Sequence, residues 1–510
     1  MSEQLAAQTF EKTFSFKSNG VIATDCHIDS NLNAYLSISQ ISIRPDSLFF
    51  SSQPFFLKID NNGNEVVRKT ILPSLLNNTY IDSLNHIGLA KTIDNGMGFY
   101  HFGSLRTSSP LGFSIVRIET DYDFNIVEYD LFNERIDSIP FFSKLRKVDN
   151  EIYLSGAILN YNNSIFFGAL SKFEQDSMIY SKRLFSDSAN LRLEEVYDFL
   201  IDDNDNIYTF SDGYNPPPFY LNRGLQINKL SKNIEIVNKE MLYVPIRNNS
   251  EEKEMYFSNP NAHWLSDSTF LVVTAKYNNR DTSKGDIHMF VYDTSLTRLQ
   301  YKRIVTTDTN LQSMPNCLAY DSLTNYFYFG VTQTIREMRY GDPFYYESPS
   351  AFRLFKFDAN LNIVWDKAYY NEATIRLEQL RVDKNGNITM VGGYEDNTTR
   401  ANNYERHIYL LRVDSLGNYL RTGFDQLKVI PKRDYLIYPN PAEEQIKLQK
   451  FNRFVDYELQ FFDATGRSIH NTNWNQNLQT LPISNWQSGV YYYRIADKDG
   501  RAASGKLIKH

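Results

Sequence analysis

The chain has 510 residues, 53 Lys+Arg against 60 Asp+Glu, and a net charge of −7. At about 100–200 residues per domain, that length allows two to four domains, or one repeat array plus a small domain. Ordinary hydrophobic content (42%) excludes wholesale disorder, two Cys exclude a disulfide scaffold or Cys-rich zinc protein, and mild acidity without a basic block argues against nucleic acid as a partner.

Aromatic residues are abundant, with 35 Phe, 35 Tyr and 4 Trp, which favours strands. Apolar runs stay short, as in Phe270 to Ala275, so no membrane span is expected. Met1 to Phe10 lacks a basic n-region and an apolar h-region, so no signal peptide is visible. Leu5-Ala6-Ala7-Gln8 reads as a small-residue remnant of a cleavage region.

In chain order, residues 1–19 form an N-terminal segment. Its early strand, Thr13 to Lys17, is similar to the last strand of a later unit, Trp365 to Tyr369, and is expected to close a ring. Residues 20–425 carry a repeat in which a basic residue, an apolar residue and an acidic or polar turn residue recur. The seven instances are Lys58-Ile59-Asp60, Arg117-Ile118-Glu119, Lys172-Phe173-Glu174, Lys229-Leu230-Ser231, Val291-Tyr292-Asp293, Lys356-Phe357-Asp358 and Arg412-Val413-Asp414. Val291 departs from the pattern. The last positions lie 59, 55, 57, 62, 65 and 56 residues apart. A second series interleaves with them: Asp29, Asp94, Asp149, Asp202, Asp267, Asp321 and Asp383.

Each unit therefore holds two hairpins and four strands. Asn62-Gly63 and Asn385-Gly386 suit the positive-φ positions of tight hairpin turns, and Asp at a strand end suits an Asx turn. Seven four-stranded units predict an all-β, seven-bladed β-propeller, whose closure protects strand edges. Cys26 and Cys317 fall in the first strands of blades 1 and 6 with blade 7 between them, so two free buried thiols are expected.

Residues 426–434 read as a linker. Residues 435–510 hold 9 Lys+Arg and 7 Asp+Glu, net +2, which leaves −9 for the preceding residues. This tail carries Tyr438-Pro439-Asn440-Pro441-Ala442, the turn Asp463-Ala464-Thr465-Gly466-Arg467, Gly489-Val490-Tyr491, and Lys506 to Lys509. In that order at the C-terminus, these motifs resemble the type A C-terminal sorting domain of the type IX secretion system of Bacteroidota. The resemblance implies a small Ig-like β-sandwich over 435–510, recognition by the type IX machinery, and a secreted or outer-membrane-surface address. The matching residues are Pro439, Asn440, Pro441, Gly466, Arg467, Gly489, Tyr491, Lys506 and Lys509. The resemblance also implies Sec export, so the start of the chain is expected to be trimmed or misassigned.

In a propeller, the loops from second to third strands share one face. Three are expanded, near Ile41 to Pro54, Asp212 to Arg223 and Arg336 to Ser350. Pro stiffens them, while aromatics and Arg supply contact area. The candidate ligand-binding residues are Tyr214, Phe219, Tyr220, Arg223, Arg339, Tyr340, Phe344, Tyr345 and Tyr346, suited to a glycan or an extended peptide. Asp/Asn-rich turns are explained by turn chemistry, and no cofactor or metal is expected. The eight His show no metal spacing, and nucleophile-elbow and phosphate-loop motifs are absent. A binding or scaffold role leads. The alternative is an extracellular glycan-cleaving hydrolase with a carboxylate pair in the propeller channel.

Overall fold

The computed structural model describes residues 9–510 apart from 17–20, 44–49, 72–86, 109–110, 137, 161–164, 175–176, 185–192, 215–222, 243–254, 279–284, 307–309, 335–349, 372, 396–405, 419–434, 451–455 and 498–501. The chain divides into two compact units, Met1–Leu420 and Arg421–His510. No helix occurs among the described residues, and so none is long and apolar enough to cross a membrane.

The first unit is a seven-bladed propeller. Blade 1 comprises Val21–Ile28, Ala34–Ile43, Phe50–Ile59 and Glu65–Thr70, each antiparallel to the next. Blades 2 to 5 repeat this meander from Ile87–Asp94 to Arg298–Val305. Blade 6 splits its first strand into Asn310–Gln312 and Leu318–Asp321, both paired with Tyr326–Thr334. Blade 7 joins Thr374–Val382, Ile388–Glu395 and Arg406–Val413 to Phe10–Ser15, which supplies the outermost strand from the start of the chain. That strand begins at Phe10, ahead of the expected Thr13. The reason lies in its pleat: Phe10, Phe14 and Phe16 share one buried face.

One five-residue turn recurs between strands. In Asp60 to Asn64, the Asp60 carboxylate accepts the N–H groups of Asn62 (2.9 Å) and Asn64 (2.7 Å), and the Asn64 amide closes onto its other oxygen (3.1 Å). Asp121, Asp202, Asp358, Asp383 and Asp414 do the same. Only the fourth residue has positive φ, so in Asn62-Gly63 the glycine alone needs it, not both residues as in a two-residue hairpin. Gly63 (φ 81°) serves there, but Phe124 (φ 59°), Leu296 (φ 68°) and Leu361 (φ 64°) serve elsewhere. These bulky residues are buried among the blade cores, which offsets the cost of a left-handed backbone. Burial of Asp60 opposes its charge, yet the hydrogen bonds from Asn64 and Asn62 hold it below the usual carboxylate range.

The repeated basic residue has a defined partner. Lys58, Lys172, Lys229 and Lys356 lie directly across from Tyr35, Tyr153, Tyr208 and Tyr328 of the second strand. Each ammonium sits 5.2–5.4 Å from its tyrosine ring centroid. In four blades the cation also reaches a turn of the next blade. Lys58 meets Asp123 (2.8 Å), Lys229 the Thr294 carbonyl (3.0 Å), Lys356 the Ser415 carbonyl (3.1 Å), and Arg412 the Leu32 carbonyl (3.0 Å). Blade 5 has Val291 at this position, and Lys302 of its fourth strand reaches the Leu361 carbonyl instead (2.7 Å). Arg117 and Lys172 pair within their own blades, with Asp130 and Glu151.

The second unit is the small Ig-like sandwich. Tyr435–Tyr438, Gln445–Lys450 and Leu478–Pro482 form one sheet; Ser468–Trp474, Tyr457–Phe462, Gly489–Asp497 and Ala502–Lys509 form the other. Ile446, Leu448, Leu459, Phe461, Trp474, Ile495 and Leu507 fill the core between them. Cys26 and Cys317 are free and buried, and burial pushes each thiol up to about 12.

Closure by the N-terminal strand has a measurable cost of loss. Phe14→Ala is expected to destabilise the propeller by about 3–5 kcal/mol, the range for truncating a buried Phe. Denaturant unfolding of the variant checks this, and an unchanged midpoint would mean that the strand does not close the ring.

Candidate functional site

The innermost strands ring the propeller axis, and most carry a β-bulge at one register. Pairing shifts between Ala23 and Asp25, Leu89 and Lys91, Phe142 and Lys144, Val196 and Asp198, Ser258 and Asn261, and Leu377 and Gln379. A bulge re-aims side chains. Here it sets a polar residue of each of these strands toward the axis.

Acidic and amide residues at or beside these bulges stitch four neighbouring pairs of blades. Asp25 accepts the Thr92 N–H (2.9 Å), Asp198 the Ala262 N–H (3.0 Å), and Asn261 the Cys317 N–H (3.0 Å). Glu378 closes the circle by accepting the Ala23 N–H (2.6 Å). Guanidinium groups add a second layer. Arg381 donates to Asp25 (2.6 Å) and the Cys26 carbonyl (2.7 Å); Arg146 donates to Asp198 (2.9 Å) and the Ala262 carbonyl (3.2 Å). The Asn316 amide spans from blade 6 to the Ser143 carbonyl of blade 3 (3.2 Å). The axis thus carries a polar network, where sequence reasoning weighed a carboxylate pair in the channel.

Electrostatics follow from this crowding. Burial raises Asp198, but Arg146 and Lys144 outweigh it and hold the carboxyl below its usual range. Burial lowers Lys144 to about 8, against the pull of Asp198. Burial likewise lowers Lys91 and His263. Asp25, Asp198, Glu195 and Glu378 all accept hydrogen bonds from the protein. No pair among these four stands free to act as general acid and base.

Above the network a cavity of about 420 Å³ opens on the side of the first-to-second strand turns. That is the opposite end of the strands from Tyr214 and Arg223. Tyr214 and Arg223 end paired strands of blade 4, directly across from each other. Thr334 and Ser350 likewise bracket the blade 6 loop. Phe219, Tyr220, Arg339, Tyr340, Phe344, Tyr345 and Tyr346 lie outside the described residues. Sequence reasoning missed the axial set, which left a signal in blades 1 and 4, where Asp25 and Asp198 each interrupt an apolar run.

The tail motifs also gain geometry. The Asn440 amide mimics a strand backbone: it accepts the Ile508 N–H (2.9 Å) and donates to the Lys506 carbonyl (2.7 Å). Ala442 continues the pairing with Ile508 (2.8 Å). Gly466 takes the positive-φ place (84°) of the five-residue turn that Asp463 organises. The Thr465 hydroxyl and the Arg467 N–H lower Asp463 to about 2, and the Arg467 guanidinium pairs with it (3.0 Å). The Tyr491 hydroxyl donates to the Gln487 carbonyl (2.7 Å). Gly489 and Lys509 pair across the last two strands, and so do Tyr492 and Lys506.

Asp198→Asn leaves Arg146 and Lys144 without their buried counter-charge and should cost about 3–5 kcal/mol in denaturant unfolding. Because Asp198 is held low in the folded state, its contribution is present above the unfolded aspartate value of about 4 and lost as pH falls through its folded value. The deficit of the variant should therefore shrink on acidification below about pH 4. A pH-independent deficit would assign the loss to packing.

Several solved structures are similar in fold. They include a member of the DUF4221 family from Bacteroides vulgatus (11% identity, TM-score 0.37, covering 66% of this chain and 94% of that one). Polysaccharide lyase Uly1 matches at 8% identity and TM-score 0.42, over 81% of this chain and 93% of that one. The β-propeller domain of the Trilobed protease from Pyrococcus furiosus matches at 8% identity and TM-score 0.35, over 77% and 94%. At such identities nothing about activity passes to this chain. No curated protein matches it. Residues 436–510 match the family described as the secretion system C-terminal sorting domain, and the tail of this protein is such a domain, of the type IX class that its motifs resemble.

Proposed function

We propose that the protein is a type IX cargo of a Bacteroidota cell, secreted or held at the outer-membrane surface, whose propeller binds a glycan or a protein and acts as a scaffold. The sorting domain indicates export, and it suggests the type IX machinery as a partner. We place the propeller at 20–425, the linker at 426–434 and the sorting domain at 435–510. The observation that favours binding over hydrolysis is the state of the axial carboxylates. A hydrolase of the kind considered needs two carboxyl groups free to exchange protons and face a substrate. Asp25 and Asp198 are instead held by backbone N–H groups and guanidinium ions.

The binding surface is assigned to the second-to-third-strand loops of blades 4 and 6, with Tyr214, Phe219, Tyr220, Arg223, Arg339, Tyr340, Phe344, Tyr345 and Tyr346 as contacts. Loops on a rigid scaffold are the usual place for recognition. Deleting residues 435–510 is expected to retain the protein in the periplasm of a competent host, as read by surface labelling; unchanged display would overturn the export assignment. On a glycan array, Tyr345→Ala and Tyr346→Ala together should weaken any captured glycan by about tenfold or more, as for aromatic anchors. Undiminished capture would move the site elsewhere.

A further inference from the structure

We propose that the cavity at the mouth of the propeller channel binds the oxyanion of a small organic acid, such as a free sugar acid or the acidic end residue of a glycan. This site lies at the opposite end of the strands from Tyr214 and Arg223 and does not rest on the loop-face reading. Three independent features carry it.

The first is shape. The cavity holds about 420 Å³ and takes residues from all seven blades, among them Asp25, Thr92, Lys144, Leu200, Trp264, Asn316 and Arg381. That volume lies in the usual range for small-molecule sites. The Asn316 to Ser143 bond crosses the axis between blades 6 and 3. Next to it, Lys91 is buried and donates to the Thr24 carbonyl (2.9 Å). A chain end or a monomer suits such a site better than a threaded polymer. Ile93, Leu200, Ile201 and Trp264 supply apolar wall for a ring face.

The second is charge. Lys144, Arg146, Lys147 and Arg381 line the cavity against the single carboxylate of Asp25, 4 − 1 = +3. Counting Asp198, paired with Arg146, still leaves +2. This occurs in a chain whose first 434 residues carry −9. Burial, together with repulsion from Arg146, Arg381 and Lys91, overcomes the pull of Asp198 and lowers Lys144 to about 8, a crowding that an anion would relieve.

The third is unfilled donor capacity. Arg381 uses Nε, Nη1 and Nη2 on Cys26, Leu380 and Asp25. Arg146 uses Nη2 on Asp198 and the Ala262 carbonyl. The Lys144 ammonium, 15% exposed, has one ion pair among those residues, to Asp198 at a long 3.6 Å. An ammonium has three donors, so Lys144 at the cavity wall keeps capacity for an acceptor.

The test is calorimetric titration of the full chain with glucuronate, a glucuronate-terminated oligosaccharide and neutral glucose. Both acids are expected to bind, the free acid alone if the cavity admits only a monomer, and glucose should not. Lys144→Gln should weaken glucuronate by at least about tenfold while the circular dichroism of the fold is retained. If that variant does not fold, Lys147→Gln, at an exposed lysine of the cavity wall, carries the same expectation. Absence of binding by the free acid, equal binding by glucose, or undiminished binding by a folded variant overturns the site.

Discussion

The propeller depends on a cation held in two directions at once. A third-strand lysine lies over the tyrosine opposite it in its own blade, and its ammonium bonds a turn of the next blade. The tyrosine is fixed in turn. Tyr35 and Tyr208 donate to Asp29 and Asp202 at 3.0 Å, the aspartates that organise the neighbouring turns. One cross-strand pair therefore couples strand register, turn geometry and the packing of successive blades. The side chain must offer an aromatic face to the cation and a hydroxyl to the carboxylate, which Phe cannot do. Tyr35 and Tyr208 meet both demands.

Blade 5 shows that the constraint is geometric. Val291 cannot make the bond, and Lys302 reaches the equivalent turn of blade 6 from the fourth strand. The interaction survives while the residue that makes it moves. A repeat read only at one column would count blade 5 as defective; read in space, it is complete.

The blade count was legible because basic–apolar–acidic triplets sit at fixed places in the meander, and the closing strand because Thr13 to Lys17 is similar to the last strand of a later unit. The sorting tail was legible because Asn440, Gly466 and Tyr491 each serve a backbone need that few other residues meet. The axis was not legible. A bulge inserts one residue into a strand, so the two-residue period breaks where Asp25, Lys144 and Asp198 turn inward. Lys144, with Arg146 and Lys147 close by in its strand, then looks like an ordinary solvent-facing position. The turns were half legible: Asp was correctly read as the organiser, but Leu296, Leu361 and Phe124 at positive φ run against local preference and make sense only once their burial is seen. The loop residues proposed for binding follow from composition and placement on a scaffold, and that is as far as sequence carries them.

The strand that begins the propeller also finishes it. Phe10 pairs with Arg412, so the last sheet is complete only when segments about 400 residues apart meet. The entropy of closing so long a loop grows only slowly with its length, but a contact this distant cannot form early. During synthesis or export the first strand emerges with no partner and must wait while six blades assemble. Until then Arg406–Val413 presents an unpaired edge, the kind of template on which foreign strands add. For a molecule addressed to the outside of the cell, the vulnerable interval ends only when its first strand meets the last blade.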